Sequence, residues 1–192
     1  MDLSYNVMSF GPKKRKIKII HLKKPVTKGL AGLIESNLFS QRIAMVVDSR
    51  PLHDLDYNLM CLSHVGGREN VQIWMEPDVF YGIKRGDPLA RTSLFHELGH
   101  QYLGHLKDTT EEMEAYDEAR VQAVKNGQVI QAELDADQFA ADYLGRDYVI
   151  RGLADIRAAL AKEDACDEEQ QAIALKEMDL RIEKLQLSPD AY

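Results

Sequence analysis

The chain has 192 residues, 45% of them hydrophobic, enough for one domain with a real core and too few for two of ordinary size. No apolar run reaches the roughly 18 residues of a membrane span, and the N-terminus lacks a secretory pattern, so a cytoplasmic protein without a membrane partner is expected. The net charge of -7 and two cysteines in no metal-like spacing, Cys61 and Cys166, exclude a uniformly basic nucleic-acid binder, a disulfide scaffold and a thiolate metal site.

Charge is unevenly spread. Lys13, Lys14, Arg15, Lys16, Lys18, Lys23, Lys24 and Lys28 crowd the first part of the chain, and the remainder is acidic. Such a cluster suits a nucleic acid or an acidic partner. In KRKIKII, however, the lysines alternate with Ile17 and Ile19, as on a solvated edge strand blunted against aggregation, and that reading is preferred.

Lys16 to Leu22 is therefore predicted as a first strand. Thr27 to Leu38 is predicted as a helix with Thr27 as its cap, and Arg42 to Val47 as a short apolar strand. Tyr57 to Val65 and Asn70 to Glu76 flank Gly66 and Gly67, and Val71, Ile73 and Met75 alternate with more polar neighbours, which predicts a hairpin at the edge of a small antiparallel sheet.

From Asp87 the texture becomes helical. Asp87 is the expected cap, Pro88 the first helical residue, and the helix is expected to run to about Lys107. Thr109 and Glu112 form a capping-box pattern for a second helix, stopped by Asn126-Gly127. A third spans about Gln128 to Leu144 and is closed by Gly145. Tyr148 to Ala161 and Glu168 to Leu187 follow, the last with Leu175, Met178, Ile182 and Leu185 at heptad-like spacing, read as a helix docking on its own domain. The expected fold class is α+β, a small, mostly antiparallel sheet packed on a helical bundle. Residues 1–192 are taken as one domain, with a basic strand region at about 1–26 and an amphipathic helix at about 165–188.

The stretch FHELGHQYLGH carries the chemistry. His96 and His100 stand four apart, just over one turn of 3.6 residues, so both imidazoles project from one face and can close on one metal ion. Glu97 lies about 100° round the helix, able to reach a water activated by the metal without ligating it. A chance HExxH is common enough that a second motif is required. QAELDADQFAADYLG supplies one, with Glu133 and Asp137 again four apart on a predicted helix.

A catalytic zinc site takes three protein ligands and keeps one open position, which gives Glu133 the place of third ligand. Asp137, one turn on, suits the outer nitrogen of a ligating histidine. Ala136, Ala140 and Ala141 would let the two helices approach closely. One Zn2+ per chain is the expected cofactor.

With HELGH followed by ELDADQFAADYL, the chain resembles the zinc metallopeptidases of the ImmA/IrrE family, over roughly residues 70–145. The resemblance implies a zincin-like fold, His96, His100 and Glu133 as ligands, and Glu97 as the catalytic residue. It further implies a protein substrate, a helix-turn-helix repressor of a phage or mobile element. An added acidic helix around Met113 to Lys125 departs from the family pattern, as does the tail after Gly145. A small peptidase of the broader gluzincin type, whose Glu-x-x-x-Asp motif Glu133 and Asp137 also match, stays open.

The metzincin pattern would need glycine and histidine where Leu103 and Leu106 stand, so His105 is read as a helix-end residue. His21, His53 and His64 are read as structural. Tyr102, His105 and Tyr143 are candidate stabilisers of an oxyanion, and an edge strand near Val71 to Glu76 is expected to align an extended substrate. The C-terminal helix is considered as a gate over the cleft. The competing class is a non-catalytic, zinc-stabilised regulatory protein that binds a repressor or DNA.

Overall fold

The computed structural model describes residues 4–24, 26–48, 60–64, 70–105, 109–162 and 167–187. The chain opens with β1 (Tyr5–Phe10) and β2 (Ile17–Leu22), linked through a 3-10 turn at Lys13–Arg15, and continues with β3 (Gly29–Ser36) and β4 (Ile43–Val47). β5 (Met60–His64) and β6 (Val71–Met75) complete a six-stranded sheet of order β1-β2-β3-β4-β6-β5. All neighbours pair antiparallel except β4 and β6, which are parallel.

Alternation in β2 divides the strand as the sequence predicts. Ile17, Ile19 and His21 are buried while Lys18 is exposed. β2 is nevertheless an interior strand, because β1 pairs along its outer side with Met8 opposite Ile19. The sequence does not announce β1, whose residues are mostly exposed and so lack a clear apolar alternation.

The predicted helix over Thr27 to Leu38 is a strand instead. β3 contains a bulge where its register against β4 shifts between Leu30 and Gly32, so that Ala31 and Ile34 are both buried three residues apart. That spacing imitates a helical stripe. Gly29, at φ 101°, and Gly32, whose absent Cβ admits the β2 backbone at Ile20 and His21, are both poor helix residues and serve the strand. The hairpin of β5 and β6 is present, with β5 on the outside. Val71–Met75 therefore lies between β4 and β5 and is no edge strand. The turn with Gly66 and Gly67, and His53, lie outside the described residues.

Six helices follow the sheet: α1 (Pro77–Arg85), α2 (Pro88–Leu103), α3 (Thr110–Lys125), α4 (Gln131–Leu144), α5 (Arg146–Leu160) and α6 (Glu168–Leu187). α1 was not expected. It starts with Pro77 at its first position and ends at Gly86 in the left-handed region, immediately before the Asp87 cap of α2. Asp87 Oδ1 accepts from Ala90 N at 3.1 Å, as its position suggests. The capping box is also present, with Glu112 N donating to Thr109 Oγ1 at 3.2 Å and Thr109 N to Glu112 Oε2 at 3.3 Å. α2 stops earlier than its expected end near Lys107, because Gly104 takes φ 72° and its N–H closes on His100 O.

The fold is α+β, as expected, with the sheet's inner face packed on the helices. Ile17, Ile19, Ile34, Ile43, Met45, Ile73 and Met75 from the sheet share one apolar cluster with Phe80, Leu94, Phe95 and Leu98 from α1 and α2. α2 is central, packing against α1, α4 and α5. α6 docks within the chain, burying Met178 and Leu185 beside α5. No helix among the described residues is long and apolar enough to cross a membrane.

The α2–α4 crossing sets the distance on which the site depends. A Cβ on Gly99 would stand 2.9 Å from Ala136 Cα and 3.1 Å from Ala136 O, backbone atoms that cannot swing aside. Gly99→Val is expected to lower unfolding free energy by roughly 1–3 kcal/mol through overpacking. Urea titration measures it, and an unchanged midpoint would mean the helices have room to spare.

Candidate metal centre

α2 presents His96 and His100 one turn apart, with their Nε2 atoms 3.0 Å from each other. Across the Gly99–Ala136 contact, α4 supplies Glu133, whose Oε2 lies 3.2 Å from His96 Nε2 and whose Oε1 lies 3.6 Å from His100 Nε2. The three side chains offer ligand atoms all within 4.8 Å of one another, and the group can hold a metal ion. A tetrahedral ion with bonds of about 2.0–2.1 Å places its ligand atoms about 3.3 Å apart, so separations of 3.0, 3.2 and 3.6 Å suit one small cation. The chemistry fits as well. Two imidazole nitrogens facing each other beside a carboxylate need a proton or a cation between them.

A second layer of side chains orients these donors. Asp137 Oδ1 accepts from His96 Nδ1 at 2.9 Å, which leaves His96 Nε2 turned toward Glu133. Asp137 is itself gripped by Arg181, with Nε donating to Oδ2 at 2.7 Å and Nη2 to Oδ1 at 2.5 Å. Arg181 Nη2 lies 3.0 Å from His96 Nδ1, but both nitrogens have Asp137 as acceptor. Arg181 Nη1 stands 3.3 Å from Glu133 Oε2, while Tyr116 OH donates to Glu133 Oε1 at 2.7 Å.

His100 has its own partner. The left-handed turn at Gly104 brings His105 back so that its N donates to His100 O and its Nδ1 lies 3.1 Å from His100 Nδ1. With His100 Nε2 facing Glu133, the proton between the rings belongs to His100 Nδ1 and His105 accepts it. His105 thus lies just beyond the helix end and serves His100 directly.

The structure brings together His96, Glu97, His100, Glu133 and Asp137. It places Tyr102 and Tyr143 elsewhere, in an aromatic cluster with Phe139; Tyr102 OH accepts from Arg15, and Tyr143 also packs on Phe95. Sequence reading missed Tyr116 and Arg181. Tyr116 is hidden in an acidic, mostly exposed helix. Arg181 did leave a signal: it stands three residues after Met178 and four before Leu185, a cation on an otherwise buried stripe.

Electrostatics follow from burial and pairing. Burial opposes ionisation of Glu133, yet its bond to His96 and the charges of His96 and Arg181 hold it well below the usual carboxylate range. Asp137 is likewise lowered, against its burial, chiefly by Arg181. His96 loses charge to burial and to Arg181, but Asp137 and Glu133 bonded at both nitrogens raise it to about 9. His100 is pushed down to about 3 by burial and the neighbouring His96. Glu97 is partly buried, and that burial, with the charge of Glu133, lifts it to about 7.

Without an ion, then, His96 is an imidazolium bridging two carboxylates. A folded pKa raised from 6.5 to about 9 contributes stability that is complete below 6.5 and lost as pH rises through 9. Loading the site near neutral pH should expel at least about one proton, from His96 Nε2. Calorimetric titration of zinc in two buffers of different ionisation enthalpy measures it, and heats independent of buffer would contradict the bridging proton. Replacing Asp137 by Asn, which weakens the hold on His96 Nδ1, should cost roughly 10–100-fold in metal affinity. Comparison with protein-family models, with curated proteins and with solved structures finds no match for this chain, so its function is argued from the site itself.

Proposed function

We propose that the chain is a zinc-dependent endopeptidase. The observation that supports this reading is Glu97: a partly buried carboxylate next to the His96–His100–Glu133 set, outside the ligand group, with its pKa lifted to about 7. A site that only held the fold together has no use for a carboxylate there. A general base works best with a pKa near the working pH, and burial lifts Glu97 toward that range in the ion-free site.

His96, His100 and Glu133 would hold the ion, and two nitrogens with one carboxylate favour zinc among divalent metals. Zinc bound there supplies Lewis acidity toward water and a substrate carbonyl. Glu97 removes the proton from the attacking water and returns it to the leaving amide nitrogen. Asp137 and His105 hold the two imidazoles at Nδ1, which would leave each Nε2 as the nitrogen offered to the ion. Among the described strands β5 is the outermost at this end of the sheet and packs beside α2, so an extended substrate chain would pair along β5, in place of the β6 segment that the sequence suggested.

The resemblance to ImmA/IrrE metallopeptidases makes a helix-turn-helix repressor the first protein substrate to test, in the cytoplasm of a cell carrying a phage or mobile element. The competing reading, a non-catalytic zinc-stabilised protein that binds a repressor or DNA, shares the ligands and lacks the hydrolysis. Glu97→Gln separates the two.

That variant is expected to keep its zinc and its thermal midpoint while hydrolysis of a cleavable protein or peptide falls roughly 10²–10⁴-fold. Retained hydrolysis would remove Glu97 from the chemistry, and a zinc-loaded wild type that cleaves nothing would favour the competing reading. The acid limb of kcat/KM should lie at or below about 7, because positive charge added among the ligands lowers a neighbouring carboxylate from the 7 it has without one. A limb well above this in a pH–rate profile would assign the step to another group.

A further inference from the structure

Arg181 comes from the last helix, far along the chain from either motif, and is only 6% exposed. A buried guanidinium is tolerated when its donors are matched, and removing its partners leaves an uncompensated charge. Here every nitrogen is matched to the site. Nε and Nη2 grip the two oxygens of Asp137, the residue that holds His96 Nδ1, and Nη1 reaches Glu133 Oε2 at 3.3 Å. The fork therefore addresses one ligand directly and another through its carboxylate partner.

The other oxygen of Glu133 is held from a different helix. Tyr116 OH donates to Oε1 at 2.7 Å from α3. One turn further on, Arg120 forks onto Glu177 with contacts of 2.7, 2.8 and 3.0 Å, and Glu177 is one turn before Arg181 on α6. α3 buries only Val124 among its residues, so polar links to Glu133 and α6 largely fix its place. α3 and α6 form a frame around Glu133, with one side chain on each oxygen.

We propose that Arg181 is a positioning residue for the metal-ligand set, fixing Asp137 against His96 and Glu133 against both imidazoles, with Arg120–Glu177 keeping Tyr116 in step on the other oxygen. This rests on His96, His100 and Glu133 being the ligand set, and not on peptide hydrolysis. It also recasts α6, considered from sequence as a gate, as part of the site's wall.

The probe is cobalt(II), whose visible absorption reports ligand geometry and whose affinity is read by competition with a chromophoric chelator. In the full chain, Arg181→Met should bind cobalt roughly 10–100-fold more weakly, with a shifted or weakened visible band. Arg181→Lys keeps the charge without the fork and should fall between Met and wild type. Tyr116→Phe should alter the band while leaving far-UV circular dichroism unchanged. Arg157→Met is the control, since Arg157 pairs with Asp179 to hold α6 at an exposed position away from the ligands, and it should leave affinity and band as in wild type.

Wild-type affinity and spectrum in folded Arg181→Met overturn the proposal. If that variant does not fold, the same result in Arg181→Lys together with Tyr116→Phe overturns it. A loss in Arg157→Met equal to that in Arg181→Met also overturns it, because helix docking alone would then account for the effect. Arg181-dependent cobalt binding in a protein that cleaves no peptide sinks the peptidase reading and leaves this one standing. No uptake by wild type removes both.

Discussion

Two carboxylates, Glu133 and Asp137, are buried at the crossing of α2 and α4, and much of the surrounding architecture meets that cost. Neither can remain ionised without close positive charge or hydrogen-bond donors. Gly99 against Ala136 brings them to the imidazoles, Asp137 takes His96, and Arg181 enters from α6 to face both. The order of burial matters. Once Asp137 is committed to His96 Nδ1, the remaining lone pairs and the opposite nitrogen have a fixed direction, and Glu133 lies in it.

The same constraint explains the shape of the helical layer. α2 is buried on several sides because it carries the two histidines and also packs on the sheet through Leu94, Phe95 and Leu98. Among the described residues the sheet contributes no side chain to the ligand group. Its role is to give α1 and α2 a flat apolar face, against which the histidine helix cannot roll. Mixed pairing at β4–β6 places β5 outermost among the described strands on that side and beside that helix.

Local chemistry made the helices from α2 onward and the five motif residues legible in the sequence. Caps such as Asp87 and the Thr109–Glu112 box are written in neighbouring residues, and His96, Glu97, His100, Glu133 and Asp137 lie on two periodic segments. What stayed hidden was non-local. β3 looked helical because a bulge gave Ala31 and Ile34 a helical spacing, and β1 has too few buried residues to show a pattern. Tyr116 and Arg181 matter only through partners 17 and 44 residues away, a pairing no local pattern encodes. His105 stands at the helix end, as read, but its tie to His100 stayed hidden for a related reason: Gly104 ends the helix, and a chain that reverses there points its next side chain back at the turn it has left.

The position of Arg181 in α6 also gives the site a place in time. A chain made from its N-terminus contains the His96 helix and the Glu133 helix before α6 exists, and Asp137 waits 44 residues for its guanidinium. Completion of the ligand set's surroundings therefore waits on α6, and a nascent chain that has reached only α5 holds both motifs without the guanidinium that faces them.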